Sequence, residues 1–328
     1  MNILFIGDIV GKPGRQAVAA LLPSLKREHH LDCVIANGEN AAHGSGMTTA
    51  TAKELLAAGI DVITTGDHVW DQKGFEEEIE NLPQVIRPAN MATSAPGRGS
   101  VVINIGDKAR VGVLNLQGRV FMPATDCPFR AAQTEVAKLR RQTNIIVVDL
   151  HAEATSEKIA MGRHLDGQVS LVVGTHTHVQ TADEQILPKG TAYLTDAGMC
   201  GPHDSVLGRD VGMVIRKFVS GMPQRLEVAT GKIELCGVVV EVDGTDGANV
   251  TFTRAALRHV ARVMKPRSCR KLSPTHAAAL ALGRLSKKTP SGGAISSVGS
   301  PIDGQTALDT PAADRPATGS VFSSKNRK

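Results

Sequence analysis

Leu171-Val172-Val173-Gly174-Thr175-His176-Thr177-His178 passes directly from an apolar segment to a polar one that carries two histidines. A short apolar run that ends at a glycine is typical of a buried strand. Side chains alternate between the two faces of an extended chain, so His176 and His178 are predicted to point to the same side. The stretch therefore predicts a strand with a pair of imidazoles at its carboxyl end, as one common centre requires.

The same transition from apolar strand to polar residues recurs at four other points of the chain. The polar segments are Gly7-Asp8, Asn37-Gly38-Glu39-Asn40, Gly66-Asp67-His68 and His151 after Val147–Leu150. In a layered sheet the functional loops gather at the carboxyl ends of the strands. A strand-end Asp can equally cap a helix, and a single His can be structural, but the combination favours a ligand set. Asp, Glu, Asn and His without Cys suit Mn, Fe or Zn in a two-metal hydrolytic site.

Short apolar runs alternate with helix-like segments over residues 1–200. The predicted strands are Asn2–Ile6, Cys33–Ala36, Asp61–Thr65, Val101–Ile105, Val111–Leu116, Ile145–Leu150, Val169–Val173 and Ala192–Thr195. The predicted helices are Arg15–Glu28, Thr48–Ala58, Lys73–Glu80, Phe129–Arg140 and Ser156–Arg163. After residue 205 the pattern predicts mainly strands, namely Val211–Phe218, Arg225–Val228 and Ile233–Val242. This order predicts an α/β layered fold with central β-sheets flanked by helices.

The composition argues against several classes of protein. No uninterrupted apolar stretch approaches the roughly 20 residues of a membrane span, and Asp8 breaks the apolar run at the N-terminus. The five cysteines are scattered without a CxxC pair, so neither a disulfide framework nor a zinc ribbon is indicated. The segment Gly7–Lys12 is one residue too short for a phosphate-binding loop, and Pro13 replaces the required Ser or Thr. We therefore expect a soluble, cytoplasmic protein.

Charge is distributed unevenly along the chain. From Lys265 to the end there are 11 Lys and Arg against 3 Asp and Glu, a net charge of +8. The whole chain has 37 basic and 32 acidic residues, so residues 1–264 hold 26 and 29, a net charge of −3. We expect one domain over residues 1–262 and a basic low-complexity tail over 263–328. The tail is poor in large apolar residues, which predicts disorder; an arm that binds RNA, through weak contacts, or a membrane is the alternative.

Nine stretches, in order along residues 1–229, resemble the YmdB-like branch of the calcineurin-like metallophosphoesterases, a group associated with cyclic-nucleotide phosphodiesterase activity. They are GDIVGKPGR (7–15), NGENAAHGSGMT (37–48), TTGDHVWD (64–71), IRPAN (86–90), NLQGRVFM (115–122), VDLHAEATSEK (148–158), GTHTHVQTAD (174–183), LTDAGMCGPHDSVLG (194–208) and GMPQRLEVA (221–229). The resemblance implies a metallophosphoesterase domain over residues 1–262. It does not extend to the tail.

The resemblance also implies a centre for two divalent metal ions, Fe or Mn most readily and Zn as a further choice. The implied ligands of one metal are Asp8, Glu39 and His178, with Asn40 as an accessory ligand. The implied ligands of the other are Glu39 as a bridge, Asp67, His151 and His176. His68 is the implied catalytic acid, which would protonate the leaving ribose oxygen after attack by a metal-bridging hydroxide.

Three positions depart from the pattern of the wider superfamily. Val10 occupies the place of the His in Asp-x-His on the first strand, as the YmdB-like pattern allows. Asp67 replaces the usual Asn of Gly-Asn-His, and the added negative charge makes bound metals poorer Lewis acids. We therefore expect retained metal binding, an altered metal preference and a slower or alkaline-shifted reaction. His43 stands where we expect Gly, and a surface loop residue is favoured there over a substrate contact.

Several neighbouring residues have two interpretations that the sequence leaves open. Asp71 either orients the ring of His68 or caps the following helix. Asp149 either supports His151 or is a buried structural carboxylate. Arg119 and the 199–206 loop are candidates for contacts with phosphate or ribose.

The leading hypothesis is a metal-dependent phosphodiesterase for small cyclic nucleotides of the 2′,3′-cyclic AMP type, with phosphomonoesterase activity as a near variant. The alternative is a regulatory metalloprotein that binds nucleotide, RNA or a protein partner with weak or no phosphodiesterase activity. Asp67 and the basic tail are its support. Apolar segments late in the domain also favour a homo-oligomer.

Overall fold

The computed structural model describes residues 1–107, 109–243 and 250–252, so the predicted tail lies outside the described residues. The strands are β1 (Asn2–Ile6), β2 (Asp8–Ile9), β3 (Leu31–Asn37), β4 (Val62–Thr64), β5 (Val85–Ile86), β6 (Ser100–Ile105), β7 (Ala109–Gln117), β8 (Ile145–His151), β9 (Leu171–Thr175), β10 (Gln185–Ile186), β11 (Ala192–Leu194), β12 (Met199–Pro202), β13 (Ile233–Leu235), β14 (Gly237–Val242) and β15 (Val250–Phe252). The helices are α1 (Gly11–Glu28), α2 (Thr49–Ala57), α3 (Phe75–Glu78), α4 (Pro128–Leu139), α5 (Thr155–His164) and α6 (Val211–Ser220), with a 3-10 helix at Ile79–Asn81.

Two six-stranded sheets form the centre of the described fold. The first has the order β15-β14-β1-β3-β4-β5 and the second the order β10-β11-β9-β8-β7-β6, while β13, β12 and β2 form a smaller sheet. The pairs of β1 with β3, β3 with β4, β7 with β8 and β8 with β9 are parallel. The prediction of an α/β layered fold with central sheets flanked by helices is confirmed.

The side-chain alternation of the strands divides the core into layers. On β1, Ile3 and Phe5 pack with residues of β7, β8 and β9, so this layer lies between the two sheets. Leu4 and Ile6 of the same strand pack on the opposite face with buried residues of α1, α2 and α3. The outer face of the second sheet packs against α4 and α5. Each six-stranded sheet thus has one face on helices and one on the other sheet, which explains its continuously apolar strands.

The small sheet fixes the end of β1. Asp8 pairs with Met199 in a parallel bridge, and the Asp8 amide donates a hydrogen bond of 2.9 Å to the Gly198 carbonyl. A Cβ on Gly7 would lie 2.0 Å from the Gly198 carbonyl oxygen, so this close approach of two backbones requires glycine. The backbone of Asp8 is thereby fixed on both sides, by β1 before it and by the small sheet beside it.

The prediction of a strand at Val211–Phe218 is wrong, because this segment forms the helix α6, Val211–Ser220. Its valines and isoleucine suggested a strand, since β-branched residues are enriched in strands. The helix is instead set by its ends: the Asp210 side chain accepts a 2.8 Å hydrogen bond from the Met213 amide, and Gly221 ends it with φ 65°. The predicted strand at Arg225–Val228 is also wrong, since only Val228 bridges, to Arg209.

The other predicted elements are present with shifted bounds. The predicted helix Lys73–Glu80 is divided into α3 and the 3-10 helix, and Ile233–Val242 is divided into β13 and β14. None of the helices within the described ranges has the length and apolar character needed to cross a membrane.

Candidate metal centre

The predicted ligand residues converge at the carboxyl ends of five strands. Asp8 follows β1, Glu39 follows β3, Asp67 follows β4, His151 ends β8 and His176 follows β9. Parallel neighbours bring these ends to the same edge of each sheet, and the two sheets face each other. The topology therefore assembles carboxylates and imidazoles that are far apart in sequence.

Four of these side chains form a tight cluster. One ligand atom from each of Glu39, Asp67, His151 and His176 lies within 4.8 Å of all the others, an arrangement that could hold a metal ion. His151 Nε2 is at its middle, 3.1 Å from Glu39 Oε1 and 3.2 Å from Asp67 Oδ1. His176 Nδ1 lies 3.0 Å from the same nitrogen.

Asp8, Asn40 and His178 form a second group beside this cluster. His178 Nε2 lies 3.6 Å from Asp8 Oδ1 and 3.2 Å from Asn40 Nδ2. Asn40 Nδ2 also donates a 2.9 Å hydrogen bond to Glu39 Oε1, so Glu39 connects the two groups. Asp8, Glu39 and Asn40 are all buried.

The two histidines of the His-x-His segment reach the site for a reason other than the predicted one. The strand β9 ends at Thr175, so strand alternation does not place His176 and His178. Instead both residues adopt left-handed backbone conformations, with φ 95° and φ 63°. Non-glycine residues seldom adopt positive φ, so this loop is held in its shape by its surroundings.

The cluster favours positive charge at its centre. Burial lowers the pKa of His151, but Glu39 and Asp67 outweigh burial and raise this pKa well above its ordinary value. Burial raises the pKa of Asp67, yet His151 brings it down to about 2. Burial and the adjacent His151 lower the pKa of His176, which favours its neutral form. A single proton on His151 thus offsets part of a negative charge that a divalent cation would offset more fully.

The second group has the same electrostatic character. Burial raises the pKa of Asp8, but the nearby His178 outweighs this and holds it well below the ordinary range. Burial lowers the pKa of His178, and Asp8 raises it beyond the ordinary value. The two side chains are therefore favoured as a charged pair in the protein interior.

Two further observations fit these residues to a metal. Among the described residues, no donor lies within hydrogen-bond distance of the buried Asp8 Oδ1, since His178 Nε2 is 3.6 Å away, and buried oxygens without a hydrogen bond are rare. A Cβ on Gly66 would lie 2.2 Å from Glu39 Oε2 and 2.2 Å from His151 Cδ2. The space beside these two side chains therefore depends on glycine. The donor set of carboxylates, imidazoles and an amide suits Mn, Fe or Zn.

A buried polar network fixes the ring of His151. Thr175 Oγ1 lies 2.9 Å from His151 Nδ1 and donates a 2.7 Å hydrogen bond to Asp149 Oδ1. Asn37 Nδ2 donates to Asp149 Oδ2 at 3.1 Å. Burial raises the pKa of Asp149 to about 6. Of the two interpretations of Asp149, the contacts favour support of His151 through Thr175.

His68 lies at the edge of the cluster. Its Nδ1 is 2.9 Å from Asp71 Oδ2, and its Nε2 is 4.0 Å from Asp67 Oδ2. The Asp71 carboxylate also accepts a hydrogen bond from the Ser45 hydroxyl. Helix α3 begins after Gly74, so Asp71 contacts the His68 ring and does not cap this helix. The ring is 42 % exposed and accessible to a small molecule.

Glu153 is a residue of the site that sequence reasoning missed. Its Oε2 lies 3.2 Å from His176 Nε2, on the side of the ring that faces away from His151. Glu153 stands two residues after His151 in the segment HAEATSEK. A carboxylate near a predicted His ligand is the signal that could have found it, because metal-bound His usually donates its second N–H to a carboxylate or carbonyl.

A cavity of about 270 Å³ opens over the cluster. Its lining residues are Glu39, Asn40, Gly44, His68, Glu153, His176, Thr177, His178, Leu207 and Arg209. Arg209 contributes a guanidinium cation to this lining. The guanidinium donates hydrogen bonds to the backbone carbonyls of His43, Gly44 and Leu226. Arg119, the predicted phosphate contact, is exposed and does not belong to this lining, while the exposed side chain of His43 agrees with a surface loop residue.

A second cavity of about 340 Å³ shares His178 and Leu207 with the first. Its lining includes Met199, His203 and Ser205 of the predicted 199–206 loop. This loop therefore lies beside the cluster, where it could contact part of a substrate.

The chain is similar to several known proteins. Residues 4–255 match the family model described as YmdB-like protein. The "2′,3′-cyclic-nucleotide 2′-phosphodiesterase" of Bacillus subtilis (strain 168) is 49 % identical over 243 residues, which cover 74 % of this chain and 92 % of that protein. A "putative phosphatase/phosphodiesterase" of Mycoplasma pneumoniae is 40 % identical over 250 residues, covering 74 % of this chain and 88 % of the relative.

The chain is also similar to solved structures. A hypothetical protein from Thermus thermophilus has a TM-score of 0.72 and 38 % identity, with coverage of 76 % of this chain and 97 % of its own. A novel phosphatase from Mycoplasma pneumoniae has a TM-score of 0.72 and 39 % identity, with coverage of 76 % and 90 %.

The layered fold, the carboxylate–imidazole cluster and these relatives together define the class, a phosphoric ester hydrolase. Within that class the chain belongs to the YmdB-like family, and the resemblance stated from the sequence is confirmed.

Proposed function

We propose that the protein is a two-metal phosphodiesterase that hydrolyses small cyclic nucleotides of the 2′,3′-cyclic AMP type. The observation that carries the proposal is the pair of ligand groups joined by Glu39. One group is centred on Asp8 and His178 and the other on His151 and Asp67. The name of the 49 % identical relative from Bacillus subtilis supports this substrate class.

The proposed ligands follow the two groups. Those of one metal are Asp8, Asn40, His178 and Glu39, and those of the other are Glu39, Asp67, His151 and His176. When bound, divalent cations in such a centre supply Lewis-acid stabilisation of phosphoryl oxygens and make water more acidic. Fe or Mn is the proposed occupant.

The protein's own residues position the phosphate. The cavity over the cluster is small and bordered by Arg209, whose guanidinium is fixed by three backbone carbonyls. A fixed cation beside the ligand groups can attract and orient a phosphodiester without reorganising.

His68 is the proposed proton donor to the leaving ribose oxygen. Its Nδ1 faces the Asp71 carboxylate, which leaves Nε2 for the substrate. Asp71 is in turn held by Ser45, so the ring has a fixed direction. A positioned general acid is typically worth about 10²–10⁴-fold in rate.

Mn²⁺-dependent hydrolysis of 2′,3′-cyclic AMP tests the proposal. We expect the wild type to turn over, His68→Ala to retain Mn²⁺ but lose about 10²–10⁴-fold in kcat, and Asp8→Ala to lose Mn²⁺ and activity together. His30→Asn is the matched control, since His30 is exposed before β3, at the opposite end of the sheet, and has φ 49°, which Asn tolerates.

Full activity in His68→Ala would remove the proposed role of that residue. Absence of turnover with any phosphodiester, together with two bound Mn²⁺ per chain, would contradict the enzyme and favour the regulatory metalloprotein. RNA binding by the full chain would then be measured against salt concentration, because contacts with phosphate weaken as salt rises.

A further inference from the structure

A buried ion pair lies beneath the His176–His178 loop. Lys158 Nζ on α5 is 2.6 Å from Asp196 Oδ2, which follows β11. Both side chains are only 1 % exposed. Neither residue is a proposed ligand. Both lie in stretches that carry the family resemblance: Lys158 ends VDLHAEATSEK (148–158), and Asp196 is in LTDAGMCGPHDSVLG (194–208).

Asp196 connects this pair to the histidine loop. Its Oδ2 accepts hydrogen bonds from Thr177 Oγ1 at 2.8 Å and from the Thr177 amide at 3.3 Å. Thr177 is the residue between the two histidines. Asp196 Oδ1 accepts a 2.8 Å hydrogen bond from the Gly198 amide, and the Gly198 carbonyl accepts from the Asp8 amide. The Asp196 carboxylate thus accepts hydrogen bonds from the residue before His178 and from Gly198, the residue whose carbonyl binds the Asp8 amide.

The loop needs such support because of its backbone conformation. His176 and His178 both have positive φ, a strained conformation that a non-glycine residue keeps only where the surrounding structure imposes it. The amide and the hydroxyl of Thr177 are the groups through which Asp196 fixes the loop between them.

The chain makes room for the lysine at a specific place. A Cβ on Gly174, the residue before Thr175 at the end of β9, would lie 2.8 Å from Lys158 Cδ and 1.9 Å from the Thr195 carbonyl oxygen. The lysine stem therefore passes over a glycine to reach Asp196. This close packing ties α5 to the end of the strand that precedes the histidines.

A buried ion pair is a poor source of stability, since apolar residues of similar volume often stabilise a core as well or better. Its desolvation is offset only where further hydrogen bonds satisfy the charged groups, and Asp196 has three such donors besides the lysine. The arrangement is therefore better explained by the conformation that it imposes than by the stability that it adds.

We propose that Lys158 and Asp196 are positioning residues that hold the His176–Thr177–His178 loop in the conformation in which both imidazoles face the metal centre. This inference rests on the proposed metal ligands. It adds to them an ion pair that touches neither metal nor substrate.

Mn²⁺ titration by calorimetry, together with urea unfolding of each variant, tests the inference. Lys158→Met removes the charge at similar volume, and Thr177→Val removes one donor while the shape of the side chain is kept. We expect both variants to bind Mn²⁺ about tenfold more weakly, the lower end of the range for direct partners of metal ligands, because Lys158 and Thr177 act on the ligands only through the loop. Lys158→Arg keeps the charge and is expected to retain more of the affinity than Lys158→Met.

Asp166→Asn is the matched control. Asp166 is buried after α5 and accepts hydrogen bonds of 3.1 Å from the Lys189 amide. It lies at the other end of the helix from Lys158. We expect this variant to unfold at lower urea concentration and to bind Mn²⁺ like the wild type.

Wild-type Mn²⁺ affinity in Thr177→Val would overturn the inference. If Lys158→Met does not fold, the Mn²⁺ affinity of the milder variant Thr177→Val is the test. An equal loss of affinity in Asp166→Asn would also overturn it, because the effect would then follow general destabilisation. If the wild type itself binds no Mn²⁺, it is the proposed function that fails, and the inference fails with it.

Discussion

Glu153 Oε2 lies 3.2 Å from His176 Nε2, while Nδ1 of the same ring lies 3.0 Å from His151 Nε2. The carboxylate therefore accepts the Nε2 proton and leaves Nδ1 with a lone pair directed at the cluster. A ligand's outer hydrogen bond fixes both the tautomer and the orientation of the ring.

We expect Glu153→Ala to weaken Mn²⁺ binding by about tenfold, the lower end of the usual range, because Glu153 is 49 % exposed. Calorimetric Mn²⁺ titration measures this. The control is Glu54→Ala, which removes a carboxylate of similar exposure, 44 %, from its 2.6 Å pair with Arg15. Equal affinity in the two variants would show that Glu153 does not orient His176.

Gly66→Ala introduces a methyl group into the space between Glu39 and His151. Since its Cβ would lie 2.2 Å from Glu39 Oε2, the carboxylate has to move, and a displacement on the scale of 1 Å can cost about 10²-fold in rate. We expect at least that loss in kcat, with weakened Mn²⁺ binding. Gly212→Ala in α6, where a Cβ meets only ordinary contacts at 3.4 Å, is the control. Normal turnover in Gly66→Ala would show that the space beside Glu39 is not needed.

Asp67→Asn removes the negative charge by which this chain departs from the wider superfamily. Asp67 Oδ1 contacts His151, so the amide oxygen of Asn can take its place. We expect weaker Mn²⁺ binding but a higher kcat at saturating Mn²⁺, because fewer negative ligands leave the cations better Lewis acids. The pH–rate profile of the same pair of proteins tests the predicted alkaline shift. Asp71→Asn, the control, is expected to lower kcat without changing Mn²⁺ affinity.

Tyr193 gives a prediction about alkaline stability. It is the one tyrosine of the chain and is 2 % exposed, and its hydroxyl oxygen lies 2.9 Å from Thr195 Oγ1. Burial, and to a lesser extent Asp183, raise the pKa of Tyr193 to about 12. Because the folded pKa is raised, its contribution to stability is complete below about pH 10, the unfolded pKa, and is lost as pH rises through 12.

Ultraviolet titration of tyrosinate measures this directly. We expect the phenol to stay protonated to about pH 12 in the folded protein and to titrate near pH 10 in urea. In Tyr193→Phe the signal should vanish, and the loss of stability between these pH values should become shallower. A folded-state midpoint near that of the unfolded chain would contradict the prediction.

The sequence contained enough information for the fold class and for the four side chains of the tight cluster, Glu39, Asp67, His151 and His176, but not for Glu153. Short apolar runs that end in Asp, Glu or His have the length and the residue pattern that indicate buried strands. The rule that functional loops gather at strand ends then brings Asp8, Glu39 and His151 to the same edge of their two sheets. The family motifs added the proposed roles, and those roles remain for experiment.

The local pattern failed where two local tendencies competed. In α6 the β-branched residues favoured a strand, while Asp210 and Gly221 at the two ends favoured a helix, and the helix prevailed. The caps satisfy backbone groups that a strand in this place would have to satisfy through a neighbour. Reading the caps before the periodicity would have predicted this helix.

What the sequence by itself determined was the set of chemical groups and the strands that carry them. Only the tertiary structure decided the partners that aim these groups. Asp196 meets Lys158 across 38 positions and Asn37 meets Asp149 across 112, and no periodicity connects such pairs. The positive φ of His176 and His178 is likewise imposed from outside the segment. Composition and period act over a few residues, whereas the direction of a buried side chain depends on every element packed around it.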